Sequence, residues 1–529
     1  MVVAISVVAG IVIGTFFANI FSNNRLSVVN SANNKIYEVL YAVQDRYVDE
    51  INLDSLAETS LPGILHELDP HSTYTSAKEV EAEMQELNGS FSGIGVIFSI
   101  INDTARIIRV VPGGPSEDAG LMPGDRIVQV DNKSFVGEFL TNDYAMKHLK
   151  GPDKSHVKIG VMRSGSKGVR TVEVIRGEVP VKTITAYHML DKTAGYVKIT
   201  SFGRKTYEEM LTALTELSQK GCKSLVIDLR ENGGGYMDAA VTLANIFLPK
   251  NNLIVYAEGR KFQKAEYRSD GRGNYPNIPL VVLVDEMSAS ASEIFSAAIQ
   301  DNDRGLVIGR RTFGKGLVQE AIELKDHSLL KLTVARYYSP SGRCLQKPYV
   351  KGKYEDYQND LYARYQNGEL YSKDSIHFTG QKYYTAKKRV VYGGGGVMPD
   401  IFIPVDTTEI TSYLLEAMNR QLIQQFCYLY ADSHRKQFSK YSTGEDFAAY
   451  LKGQNLIDRF ATFAEEKGLK RRNLLIKKSQ RRLETAIMYN VIDYILGDQQ
   501  ATKYLNQKDD NVRAALDQIR QGKTFPAAK

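Results

Sequence analysis

Hydrophobic and polar positions change rhythm several times along the 529 residues. Val2 to Phe21 carries no charged residue, and twenty residues at helical rise match the ~30 Å hydrocarbon core of a bilayer. No small-x-small cleavage site follows, so residues 1–24 predict an uncleaved membrane anchor. Residues 31–87 place apolar positions such as Ile36, Val39, Leu40 and Val43 at helical spacing and predict a small helical segment. From Gly89 short glycine-punctuated strands take over, with a strand from Ala105 to Val111 and a short helix from Ser116 to Gly120. The turn Leu121-Met122-Pro123-Gly124-Asp125 then returns the chain to a strand. Beyond residue 178 the rhythm becomes that of an α/β core. An amphipathic helix from Tyr207 to Lys220 precedes the buried-strand pattern Ser224 to Arg230. A helix from Met237 to Leu248 follows, then apolar runs at Leu253 to Ala257, Pro279 to Val284 and Leu306 to Gly309. From Thr407 to Lys529 the pattern is helical. The expected architecture is α+β and multidomain: anchor (1–24), helical segment (31–87), a strand-rich domain (88–178), an α/β core (179–406) and a C-terminal helical region (407–529). A tyrosine- and charge-rich stretch, 346–388, reads as a surface insertion in the core.

Composition narrows the classes. Hydrophobic residues make up 43% and charged residues 24%, enough for sizeable cores, and the net charge of +6 is slight for this length. Nothing global demands a nucleic-acid partner. Cys222, Cys344 and Cys427 are widely separated and lack metal-ligand spacing, so they read as isolated thiols. His66 and His71 have no further ligand at useful spacing and read as structural or exposed. Arg25 and Lys35 follow the apolar span and no basic residue precedes it, so charge does not set its orientation. Gly10 and Gly14 form a GxxxG pair, which leaves room for a homo-oligomer. The basic helical stretch from Lys470 to Arg482 reads as a solvated face backed by Leu474, Leu475 and Ile476.

Candidate chemistry sits at three junctions. The apolar run ending at Val284 gives way to Asp285-Glu286, then to Ser288, Ser290 and Ser292 separated by alanines, and then to helical spacing. A serine at such a strand-to-helix turn is either a helix cap or an exposed nucleophile. Gly233-Gly234-Gly235 follows a buried strand and can offer backbone N–H groups to an anion. It is no P-loop, because no Lys-Ser/Thr pair follows. Lys315 lies between Gly314 and Gly316, an odd place for a solvated lysine; burial depresses a lysine's pKa and lets it act as a general base. A Ser-Lys pair is an established alternative to Ser-His-Asp. His188 and His327 lie in no comparable motif.

Two resemblances organise these residues. Gly89 to Gly177, with its Pro-Gly-Asp-Arg-Ile turn at 123–127, resembles a PDZ domain. That resemblance implies a loop, here Gly93-Ile94-Gly95-Val96, whose N–H groups receive a peptide's C-terminal carboxylate while the peptide adds as a strand. Asp69 to Tyr74, Asp228 to Gly235, Ser288 to Glu293, Thr312 to Gln319, Ala335 to Gly342 and Gly393 to Asp400 together resemble the carboxyl-terminal processing peptidases of the S41 serine protease family. In that family the nucleophile lies 25 positions before the lysine, which selects Ser290 against Lys315, and a glutamine four positions after the lysine orients it, here Gln319. The oxyanion hole would use Ala291 with a glycine of the 233–235 loop, Gly234 or Gly235. Asp301 matches a position discussed as catalytic in relatives but equally caps a helix, and it stays outside the set. Met287 departs from the glycine many relatives carry. The resemblance implies a membrane-anchored endopeptidase, its catalytic part extracytoplasmic and periplasmic, acting on proteins bound by their C-termini with no metal or organic cofactor. Two other readings are a non-catalytic PDZ adaptor on a hydrolase-like fold and a Ser-Lys hydrolase of a non-protein acyl substrate.

Overall fold

The computed structural model describes residues 34–80, 89–101, 103–163, 166–376 and 380–526. The expected anchor lies outside the described residues, and among them no helix is long and apolar enough to cross a membrane.

Apolar runs rich in Val, Ile and Leu build the central sheet, where they are buried on both faces. Six strands lie in the order Ile184–Met189, Ala194–Ile199, Ser224–Asp228, Leu280–Val284, Leu306–Gly309 and Ile401–Phe402. The first pair is antiparallel and the rest are parallel. Helices Thr206–Gln219, Met237–Asn245 and Ala291–Asp301 cover one face through Met210, Leu214, Leu243, Ile294 and Phe295. The opposite face, with Tyr196, Val226, Val281, Leu283 and Ile308, is covered by Val512 and Ala515 of helix Asp510–Arg520. The C-terminal helical region therefore completes the α/β core rather than standing apart from it. Asp509 caps this helix and also pairs with Arg230 at 2.7 Å.

The strand-rich domain is a six-stranded sheet ordered Val96–Ile101, Thr104–Val110, Arg126–Val130, His156–Met162 and Arg170–Ile175, with the short strand Lys133–Ser134 paired to Arg126–Val130. Its flanks, Ser90–Gly93 and Gly177–Pro180, pair with each other where the chain leaves and re-enters the core. The C-terminal helices touch this domain as well: Tyr428 is fully buried against Ile101 and Ile108, and Arg109 pairs with Asp493 at 2.8 Å. Three of the seven basic residues between Lys470 and Arg482 make internal ion pairs. Arg471 reaches Asp458, Arg481 reaches Asp406 and Glu409, and Arg482 reaches Asp406. The three cysteines are free thiols.

A second sheet flanks the core, with Thr73–Thr75, Leu329–Tyr338, Leu253–Glu258 and Ala265–Arg268 in order and Leu317–Glu323 paired to Leu329–Tyr338. All eleven residues of helix Ala291–Asp301 are buried, so its polar side chains need partners. At its end the Asp301 carboxylate meets the fully buried Arg343 at 2.8 Å and the Ser341 hydroxyl at 2.7 Å. Asp301 is thus tied up in an ion pair. Asp301→Ala strands Arg343 without its carboxylate and is expected to cost about 3–5 kcal/mol, read as a shift in the urea unfolding curve followed by circular dichroism.

Candidate active site

Strand Leu280–Val284 ends at the centre of the sheet, and the turn after it is fixed by side chains. Asp285 Oδ1 accepts the N–H groups of Glu231, Met287 and Ser288 at 3.0–3.1 Å. Ser288 is fully buried and its hydroxyl donates to the Leu229 carbonyl at 2.8 Å. Ser292 is fully buried too, its hydroxyl on the Asn232 carbonyl at 2.9 Å. Ser290 differs from both. It keeps partial exposure and takes φ 56°, ψ −114°, a conformation that costs a non-glycine residue of order 1–3 kcal/mol. Surrounding structure holds that strain, as in the nucleophile turns of hydrolases.

Glu293, one helical turn on, does much of the holding. It is fully buried, and its carboxylate accepts the Ser290 N–H at 2.9 Å, the Gly314 and Lys315 N–H groups at 2.8 Å and the Thr312 hydroxyl at 2.5 Å. Burial pushes its pKa up, and these donors hold that shift back. The Tyr337 hydroxyl bridges the same two strands of chain from the other side, meeting the carbonyls of Ser290 and Lys315. Ser290 and Lys315 are therefore bound to one carboxylate and one phenol.

The Lys315 loop is enclosed from both ends of the sequence. Gly316 N–H donates to Gln346 Oε1 at 2.9 Å, and a Cβ on Gly316 would come within 2.6 Å of the Gln346 nitrogen, so only glycine fits. Gln346 and His71 Nε2 both meet the Tyr357 hydroxyl, at 3.1 and 2.8 Å. Tyr357, Arg364 and Glu369 are buried, and Arg364 donates to the carbonyls of Arg311 and Thr312. Most of 346–388 is exposed or half-buried, as in a surface insertion, but Gln346, Tyr357, Arg364 and Glu369 are buried and form the wall behind the Lys315 loop.

Burial lowers the Lys315 pKa, and Lys331 lowers it further, against the attraction of Glu293 and Asp69. His71 is pulled down to about 3, first by burial and then by the charge on Lys315. It is neutral at physiological pH. Gln319 lies two positions into strand Leu317–Glu323, and its Nε2 donates to Thr333 Oγ1 at 3.4 Å.

Beside Ser290 stands the glycine loop. Asn232 staples it to the serine turn: its carbonyl accepts the Ala289 N–H at 3.0 Å and its side chain donates to the Ile199 carbonyl at 2.9 Å. Gly234 has φ 108°, and a Cβ there would lie 2.7 Å from the Ser290 Cβ. Gly234 N–H is already engaged by Asn232 Oδ1 at 2.9 Å, so in this arrangement the residue contributes close approach rather than a free donor. Gly235 pairs with Phe202. Ala291 is the first residue of its helix, where an N–H has no intrahelical acceptor.

In the strand-rich domain Gly93, Ile94, Gly95 and Val96 form the entry to strand Val96–Ile101, which stands at the edge of its sheet. The Ile94 and Gly95 carbonyls accept the Ser116 and Val111 N–H groups at 2.9 and 3.0 Å, which fixes the loop's shape.

Asp69, Asn232, Glu293 and Tyr337 lie inside motifs visible in the sequence but had no role there, His71 read as structural or exposed, and Gln346 and Tyr357 were noticed only as part of the segment 346–388. The available signal was polar residues inside apolar surroundings, as at Glu293.

Residues 193–356 match the family described as Peptidase family S41, residues 106–163 a PDZ domain, and residues 413–497 a family of unknown function. A probable CtpA-like serine protease of Staphylococcus aureus (strain MRSA252) is 33% identical over 345 residues, 64% of this chain and 67% of the relative. The carboxy-terminal processing protease CtpA of Bacillus subtilis (strain 168) is 31% identical over 345 residues, 64% of this chain and 73% of that one. Among solved structures, a photosystem II D1 C-terminal processing protease is 30% identical, covering 60% of this chain and 90% of its own, with a TM-score of 0.34. The family matches and the relatives together define a serine peptidase with an inserted PDZ domain. The chain belongs to peptidase family S41, among the carboxy-terminal processing proteases.

The half-buried, neutral His71 makes stability depend on pH. Its pKa falls from 6.5 to about 3 on folding, so the unfolded chain binds the extra proton between those values. That share of stability is present above pH 6.5 and is lost as pH falls toward 3. Between pH 7 and 5 the native protein is expected to lose about 2 kcal/mol more than His71→Gln, which keeps a hydrogen-bonding side chain opposite Tyr357 but does not titrate; paired denaturation curves measure the difference.

Proposed function

We propose that this peptidase is a membrane-anchored endopeptidase that takes hold of protein C-termini and cuts near them with a Ser290–Lys315 dyad. The observation that carries the dyad is the shared clamp: Glu293 and Tyr337 bind the backbones of a strained, partly exposed serine and of a lysine whose basicity burial has lowered. Neutral Lys315 takes the Ser290 hydroxyl proton as Oγ attacks the peptide carbonyl. The Ala291 N–H, with an N–H of the 233–235 loop, receives the oxyanion. Lys315 returns the proton to the leaving amine, and a water activated by the same amine then hydrolyses the acyl-enzyme. Gln319 orients Lys315.

The edge strand Val96–Ile101 supports tail recognition, since a peptide can extend that sheet while its carboxylate meets the N–H groups of Gly93 to Val96. The charge-free stretch Val2 to Phe21 supports the anchor, with the catalytic part extracytoplasmic, in the periplasm.

Ser290→Ala and Lys315→Ala are each expected to abolish cleavage of a protein substrate while keeping the circular dichroism spectrum; full activity in either rejects the dyad. Because the neutral amine is the base, kcat/KM rises with pH as Lys315 loses its proton, and the midpoint falls below the usual lysine value of 10.5. A peptide amidated at its C-terminus loses the carboxylate contact and is expected to show a KM raised on the order of tenfold, with kcat at saturation nearly unchanged.

A further inference from the structure

The donor and acceptor roles around Gln319 are set by a carboxylate far away in sequence. Asp69 is buried, and its Oδ1 accepts the N–H groups of His71 at 2.8 Å and Ser72 at 2.9 Å. Its Oδ2 accepts the Ser72 hydroxyl at 2.6 Å. Thr333 Oγ1 lies 3.0 Å from Oδ1 across 264 positions of sequence. A carboxylate offers only lone pairs, so the single hydroxyl proton of Thr333 points at Asp69. What remains on Thr333 Oγ1 can only accept. Gln319 Nε2 stands 3.4 Å from that oxygen. The amide therefore presents its NH2 to Thr333 and turns Oε1 the other way; the flipped amide would set two acceptors face to face.

Thr333 is held in place for this. Its N–H donates to Ser72 Oγ at 3.1 Å, and it is the direct cross-strand partner of Gln319. The segment Asp69–Ser72 thus grips Thr333 by backbone and side chain together. Asp69 is also close enough to Lys315 for its charge to favour the ammonium form. The relay and the base share one neighbourhood.

We propose that Asp69 and Thr333 are positioning residues that fix the orientation of the Gln319 amide and hold its oxygen toward the Lys315 amine. An oxygen accepting one N–H of that amine sets the direction of its lone pair, which must face the Ser290 hydroxyl to remove a proton. The inference rests on the Ser290–Lys315 reading and adds what keeps the lysine aimed.

The test compares kcat and KM of Thr333→Val, Thr333→Ser, Gln319→Leu and the Thr333→Val/Gln319→Leu double variant on one peptide that the native enzyme cleaves. Thr333→Val keeps the shape and loses the hydroxyl, and kcat is expected to fall on the order of 10- to 100-fold with KM unchanged. Thr333→Ser restores most of the rate. The double variant is no slower than Gln319→Leu, because Thr333 acts through the amide. The proposal is overturned if Thr333→Val stays within about twofold of native, if the serine variant falls as far as the valine one, or if the two losses multiply. Should Thr333→Val not fold, Asp69→Asn replaces it in the same cycle, since its amide lets the Thr333 hydroxyl turn; a native kcat there rejects the relay. Retained activity in Ser290→Ala or Lys315→Ala would instead reject the dyad itself.

Discussion

One carboxylate carries the geometry of this molecule's centre. Glu293 sits in the first turn of a wholly buried helix and takes hydrogen bonds from both the Ser290 turn and the Lys315 loop. A neutral acceptor could not receive that many donors as well, and a buried carboxylate without them would be costly. The charge and the donors therefore require each other. The consequence is that two loops from different parts of the sequence share a single origin of coordinates. Ser290 can be held in a backbone conformation it would leave if free, because leaving would strand a buried charge.

Around that centre the molecule is closed by pieces that look peripheral. The segment Asp69–Ser72 reaches in from before the PDZ domain and Tyr357 from the stretch between strands Leu329–Tyr338 and Ile401–Phe402, and both meet at His71. Lys347 lies over the rings of Phe313 and Tyr357 at 4.0 and 4.1 Å and adds a cation–π lid to the same wall. A neutral imidazole, a phenol and an amide then line the back of the Lys315 loop. These three groups offer hydrogen bonds and are themselves uncharged.

The central strands were legible because a strand buried on both faces writes itself as an unbroken apolar run; Leu280–Val284 and Ser224–Asp228 fall close to the expected bounds. The helices Thr206–Gln219 and Met237–Asn245 also fall near their expected limits, the latter ending three residues early. Ser290 was separable from its two neighbours only through resemblance. Nothing local distinguishes three serines spaced by alanine, whereas in three dimensions two are buried caps of other carbonyls. Tyr357 and Arg364 were misread for the opposite reason. Their burial depends on partners remote in sequence, and a polar side chain with satisfied hydrogen bonds has the same composition signature as a solvated one. The roles of Asn232 and Thr333 left no sequence signal for the same reason, since they exist only through cross-chain hydrogen bonds.

Helix Asp510–Arg520 covers strands Ser224–Asp228, Leu280–Val284 and Leu306–Gly309 on one face of the central sheet, yet the last core strand ends at residue 402. During synthesis at about 5–20 residues per second, that apolar face waits roughly 5–20 s for its cover. Until then Arg230 lacks Asp509, and the strand leading to the glycine loop is shielded on one side alone. The order of the chain thus acts as a timer. The catalytic core reaches its finished state only after the helices that also grip the PDZ domain have been made.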